Sequence, residues 1–252
     1  MSDQLERCNV AEVICRRHAD RVTRVALLEA KPLADNCYTF GGLDFLSDKF
    51  ASALDECGIG EGNAVAVILH PSAALVVAVL GALKRGAVVV PLSPSLDLSE
   101  IEAAISDSGA KAFVAPFAER AAYAAIAHRN SITTVFLAGD SSEAIHYKGA
   151  GRSFWRDVFL ASSDFTPAAM PASAAAFIFY VKTAEGAWRP ITHSQGAILE
   201  QLAQFDKRNN QEYDTDNAQW CGGDWSSPDV LIGLIFPTWW SGGAVLTEPS
   251  KR

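Results

Sequence analysis

The segment from Phe177 to His193 gathers groups that can hold an anion. Lys182 and Arg189 bring cations, Thr183 and Thr192 hydroxyls, and Gly186 a backbone free of side-chain bulk. Phe177-Ile178-Phe179-Tyr180 reads as a buried strand, a polar stretch follows, and a helix is predicted to open near His193. This order of strand, loop and helix is the layout of a phosphate-holding loop. In such loops backbone N–H groups, a hydroxyl and a cation converge on the anion, and glycines let the main chain approach it.

The elements that must carry this segment follow from apolar periodicity. Ala64–Leu69 and Ala87–Pro91 are apolar runs of strand length, separated by a helical stretch, Ala73–Lys84, that stops at Gly86. Leu43, Leu46, Phe50 and Leu54 recur at helical spacing before the turn Cys57-Gly58-Ile59-Gly60. Helix–strand alternation continues through Leu98–Ser106, Ala110–Ala115, Glu119–His128 and Ile132–Leu137. Upstream, a helix is expected around Val10–His18, with strands at Val22–Glu29 and Tyr38–Phe40. Downstream, a helix over Ser194–Arg208, a strand at Asn217–Cys221, an apolar helix at Asp229–Trp240 and a strand at Ala244–Thr247 are expected.

The pattern implies an α/β fold with three αβα layers, mostly parallel sheets and flanking helices. Residues 1–137 form a first subdomain in this reading, 138–174 a surface excursion around Phe154–Leu160, and 175–252 an incomplete second subdomain.

Composition excludes several functions. A chain of 252 residues with 49% hydrophobic content buries a large core, while its net charge of −8 argues against nucleic acid or an anionic membrane as partner. No stretch has the length of a membrane span and the N-terminus has no signal-like apolar run, so a cytoplasmic location is expected. Cys8, Cys15, Cys37, Cys57 and Cys221 are scattered, without ligand spacing to the five histidines, which predicts reduced thiols and no metal site. Gly58-Ile59-Gly60-Glu61-Gly62 follows a helix and precedes a strand, the reverse of a dinucleotide fingerprint, and is read as a turn. No GxSxG elbow is present.

Three blocks together resemble the N-terminal part of the adenylate-forming, AMP-binding acyl-CoA synthetase superfamily, with the medium-chain and aromatic acyl-CoA synthetases most alike. The first runs from Tyr38-Thr39-Phe40 through Gly58–Val67 to Leu80–Leu92; the second is Phe177–His193; the third is Trp220-Cys221-Gly222-Gly223-Asp224-Trp225 with Gly233 and Pro237–Gly243. The resemblance implies a truncated large N-terminal domain and a known reaction. Family members convert a carboxylic acid and Mg-ATP to an acyl adenylate, then usually to an acyl-CoA, and their loop Thr-Ser-Gly-Thr-Thr-Gly-x-Pro-Lys-Gly stabilises phosphoryl charge. It implies ATP or AMP with Mg as ligands, a small carboxylic acid as substrate, Lys182, Thr183, Gly186, Arg189 and Thr192 as the phosphate loop, and His193, Asp224 and Trp225 near substrate.

Laid over Val181–Pro190, the family loop keeps only Gly186 unchanged. Hydroxyls and glycines are lost, Glu185 adds negative charge, Pro190 removes an N–H, and Arg189 replaces lysine with a different donor geometry. These changes weigh against phosphate binding and for a polar surface loop. The family's Mg-coordinating glutamate, its hinge and its catalytic lysine are expected downstream of Arg252.

For the third block the plainer expectations are that Asp224 caps the turn before Pro228, that Trp239 and Trp240 are core, and that His193 caps a helix. Two functions compete: an acyl-CoA-synthetase-like domain not competent alone, and a non-catalytic homologue acting as an interaction or regulatory module. Exposed edges near Ala244–Thr247 predict self-association or pairing with a second acyl-CoA-synthetase-like chain.

Overall fold

A computed structural model of the protein describes residues 7–30, 36–208 and 218–247. In chain order the elements are β1 (Arg7–Cys8), α1 (Val10–Arg16), β2 (Val25–Glu29), β3 (Asn36–Thr39), α2 (Phe40–Glu56), β4 (Ala64–Val67), α3 (Ala73–Lys84), β5 (Val88–Pro91), α4 (Leu98–Ser108) and β6 (Ala112–Pro116). They continue with α5 (Arg120–Arg129), β7 (Thr134–Ala138), α6 (Ser142–Ile145), β8 (Arg152–Ser153), α7 (Phe154–Leu160), β9 (Met170–Pro171), β10 (Ala175–Lys182), β11 (Trp188–Ser194) and α8 (Gln195–Arg208). The last are β12 (Gln219–Trp220), α9 (Pro228–Val230), α10 (Phe236–Trp240) and β13 (Val245–Leu246).

A seven-stranded sheet in the order β11-β10-β5-β4-β6-β7-β8 is the frame. Every adjacent pair is parallel except β10–β11, which is antiparallel. β4 shows why both faces are covered. Val65 and Val67 enter one hydrophobic cluster with α2, α3, α7 and α8, whereas Ala64 and Ala66 enter another with α4 and α5. A strand apolar on both faces belongs inside a parallel sheet, and the three-layer αβα expectation is met.

α3 is apolar from Ala73 to Leu83, and all twelve of its residues, the terminal Lys84 included, are buried. Ser72 caps its start by accepting from Leu75 N at 3.3 Å, and Gly86, at φ +78°, lets the chain turn into β5. Even Lys84 is fully buried, with its ammonium between Asp44 and Asp48 of α2. Asn9 ties α1 to this layer: Oδ1 accepts from Ala11 N and Glu12 N, while Nδ2 donates to Leu83 O at 2.7 Å and Ala168 O at 3.1 Å.

The second sheet, in the order β12-β13-β2-β3, joins the two ends of the described chain. β13 lies inside it, parallel to both β12 and β2, so its edges are β12 and β3 and not the final strand, as the sequence had suggested. Asn217, placed by sequence in the strand before Cys221, lies outside the described residues.

Residues 138–174 supply β8 as the sheet's far edge, and β9 pairs with β1. The single apolar helix expected over Asp229–Trp240 is broken into α9, a π-turn at Leu231–Ile235 and α10. Pro237 has no N–H to continue an α-helical ladder, and the wider turn absorbs the mismatch.

Candidate functional site

β10 and β11 form a hairpin, in which Lys182 pairs with Trp188, Val181 with Arg189, Tyr180 with Pro190, Phe179 with Ile191, Ile178 with Thr192 and Phe177 with His193. The expected strand–loop–helix is therefore strand–turn–strand. The next helix opens at Gln195, one residue from the expected start at Ser194, but residues 188–194, expected as loop, are a strand held in the ladder.

The connection is tight. Thr183 N donates to Ala187 O at 2.8 Å, Gly186 N donates to Thr183 O at 2.9 Å, and Gly186 sits at φ +82°. This is a three-residue hairpin loop closed by a glycine bulge, and the turn itself consumes those backbone donors. The nearby Thr183 hydroxyl and the residue's own N–H draw the exposed Glu185 carboxyl below its ordinary range.

Strand parity then divides the predicted anion-binding residues. Side chains alternate across a strand, and directly opposed residues share a face. Lys182, Trp188, Tyr180, Pro190 and Thr192 lie on the α4 face, whereas Arg189, Ile191 and His193 lie on the other with Phe177 and Phe179. Lys182 leans on Trp188, its Nζ 5.2 Å from the ring centroid and 3.6 Å from Glu100 Oε1. Arg189 and Thr192 are exposed, and the His193 ring stands edge-on to Phe179 at 5.5 Å. Gly186 stays at the tip. A Mg-nucleotide needs a convergent set of donors, and this hairpin carries Lys182 and Arg189 on opposite faces of its stem.

The third block is arranged differently. Asp224 Oδ1 accepts from Ser226 N at 2.9 Å and Ser226 Oγ at 2.7 Å, and Asp224 O accepts from Ser227 N at 3.0 Å, which organises the turn into Pro228. Trp225 is 1% exposed and donates from Nε1 to Cys221 O at 2.9 Å. Trp239 is equally enclosed and donates to Ala26 O at 2.8 Å, while Trp240 lies under the Arg17 guanidinium. Trp220, on the edge strand β12, is 60% exposed.

Sequence reasoning missed Glu100 and Asp107 on α4, together with the partners they find on the hairpin. Trp188 Nε1 donates to Glu100 Oε1 at 3.1 Å, and Tyr180 Oη donates to Asp107 Oδ2 at 2.6 Å. Trp188, with Lys182 and Asp97 N, draws the Glu100 carboxyl below its ordinary range. The available signal was parity: Tyr180 and Trp188 share a face only once β11 is recognised as a strand. All five cysteines are free thiols, among the described residues no three His, Cys, Asp or Glu cluster as metal ligands, and no described helix is long and apolar enough to cross a membrane.

Residues 12–243 match the family model of AMP-binding enzymes. Surfactin synthase subunit 1 of Bacillus subtilis is 36% identical over 100 residues, 40% of this chain and 3% of that protein. An acyl-CoA synthetase of Brucella canis superposes with a TM-score of 0.82 at 22% identity, covering 98% of this chain and 44% of that one. ATP-bound MatB from Rhodopseudomonas palustris gives a TM-score of 0.83 at 20% identity, over 97% of this chain and 46% of MatB. The chain thus spans less than half the length of these proteins.

Proposed function

The chain belongs to the AMP-binding enzyme family, and from that premise we propose that it is an acyl-CoA-synthetase-like domain which does not make acyl adenylates by itself. The family scaffold is retained, but the chemistry of the hairpin is not. The partition of Lys182 and Arg189 onto opposite faces carries this reading. Stabilising a transferring phosphoryl group takes donors fixed around it in advance, and each lost donor costs roughly 10²–10³ in rate. Here Thr183 N and Gly186 N are spent in the turn, Glu185 adds repulsion, and Lys182 is drawn toward Glu100.

Calorimetry with Mg-ATP, followed by a pyrophosphate-release assay with short-chain and aromatic carboxylic acids, tests it. No saturable nucleotide binding and no pyrophosphate above the no-enzyme control are expected. Release that saturates with ATP and falls in Arg189→Ala would overturn the proposal.

A role as an interaction module, through self-association or a second acyl-CoA-synthetase-like chain, is favoured by Trp220, a large aromatic exposed on the edge strand β12. Light scattering at rising concentration checks it. A mass that grows in the native chain and stays monomeric in Trp220→Ser supports this role, and a strictly monomeric native chain refutes self-association.

A further inference from the structure

We propose that the cavity between α4 and the β10–β11 hairpin is a binding site for a short aliphatic ammonium ion, and that Lys182 is its built-in competitor. The cavity measures about 230 Å³, and Leu92 and Ala104 give it an apolar floor. Trp188 and Tyr180 stand as aromatic walls, and Glu100 and Asp107 mark its two ends, seven residues apart on α4. Seven residues of helix rise by roughly 10 Å, which is the length of an amine with a short hydrocarbon tail.

The two carboxylates are not equivalent. Asp107 is engaged by the Tyr180 hydroxyl at 2.6 Å, which fixes that wall. Glu100 takes only one short side-chain donor, Trp188 Nε1, and faces an ammonium already present, Lys182 Nζ at 3.6 Å. That same Nζ lies 5.2 Å from the Trp188 centroid. The protein thus places a cation where a carboxylate and an aromatic face act together, the pairing by which ammonium groups are recognised.

Lys182 holds this position weakly. Its side chain is 56% exposed, and a solvated pair of this kind contributes little. An incoming alkylammonium offers the same charge and adds burial of its tail against Leu92 and Ala104, which Lys182 does not supply. The site depends on neither ATP nor the hairpin's ability to hold phosphate.

Titration of the full chain with n-pentylammonium chloride, against sodium chloride at matched ionic strength, is the test. Saturable heat is expected, with several-fold tighter binding in Lys182→Ala. In the Lys182→Ala background, Glu100→Gln should weaken binding about tenfold, the loss of one charge-assisted contact. Glu100 also accepts from Asp97 N at the start of α4, so Trp188→Leu serves as a second variant that leaves that helix start intact and should weaken binding comparably. No saturable binding in both the native chain and Lys182→Ala would overturn the proposal. So would affinity unchanged in both Glu100→Gln and Trp188→Leu, or weaker binding in Lys182→Ala than in the native chain.

Discussion

Lys84 Nζ lies 2.6 Å from Asp48 Oδ1, the lysine side chain wholly buried and the aspartate 10% exposed. Asp44 Oδ1 accepts from the same ammonium at 2.6 Å, and Arg16 bridges both carboxylates from α1. Three helices are therefore clamped by charge inside an apolar layer. Removing Lys84 leaves two largely buried carboxylates sharing the part-exposed Arg16, with one negative charge uncompensated, a larger loss than the pair's net contribution.

Lys84→Met should lower unfolding free energy by about 3–5 kcal/mol, read from urea denaturation. Adding Asp48→Leu should recover a large part of that loss, since both ends of one contact are then apolar. A single-variant loss below about 1 kcal/mol would show that water reaches the two carboxylates.

Burial pushes the Cys15 thiol up to about 12, from an ordinary value of 9.0. The folded state holds its proton more tightly than the unfolded state, so the stabilisation is complete below pH 9 and is lost as pH rises toward 12. Stability should fall steadily with rising pH from this group over that window, on the order of 1 kcal/mol per pH unit. Cys15→Ala should show a correspondingly shallower alkaline slope. In the native state a thiol reagent should modify exposed Cys37 and leave Cys15 untouched.

Gly81 and Gly186 are glycines for unrelated reasons. A Cβ at Gly81 would lie 2.8 Å from Phe50 Cδ1 and 2.9 Å from Ser47 O, so Gly81→Ala forces α3 away from α2 at about 1–3 kcal/mol. At Gly186 nothing lies within 4 Å, and only its φ of +82° resists a side chain, so Gly186→Ala should cost about 1 kcal/mol. Asparagine, which tolerates this backbone region, should restore much of the second loss and none of the first. Thermal melts of the four variants check this.

Asn9 should tolerate alanine better than aspartate. Alanine removes a helix cap and the bonds to Leu83 O and Ala168 O, at about 2 kcal/mol. Aspartate keeps the cap but sets a carboxylate oxygen against a carbonyl 2.7 Å away, in a position that is 1% exposed. An Asn9→Asp protein at least as stable as Asn9→Ala would refute this account.

The central βαβ unit was legible because its signals are local. Ala64–Val67, Ala73–Lys84 and Val88–Pro91 are unbroken apolar runs, and Gly86 marks the join. The capping role of Asp224 was legible for the same reason, its bonds reaching only to Ser226 and Ser227. β11 was not. An exposed edge strand needs no apolar alternation, and Trp188-Arg189-Pro190-Ile191-Thr192-His193 has none to offer a periodicity search. Without β11 the cations appear adjacent in sequence space, and only strand parity reveals that Lys182 and Arg189 point apart. The pairing of β2 with β13 joins residues more than two hundred positions apart, beyond any local pattern.

Pro190 stands opposite Tyr180, one step along from the hydrogen-bonded pair of Val181 and Arg189. Antiparallel ladders alternate, so the nitrogen of residue 190 faces outward along the free rim of the sheet. A foreign strand docking there meets a missing donor midway, beside the charged Arg189, and cannot zip past it. Among the described residues this rim is thus poorly suited to further strand addition, even though Ile191 remains 40% exposed.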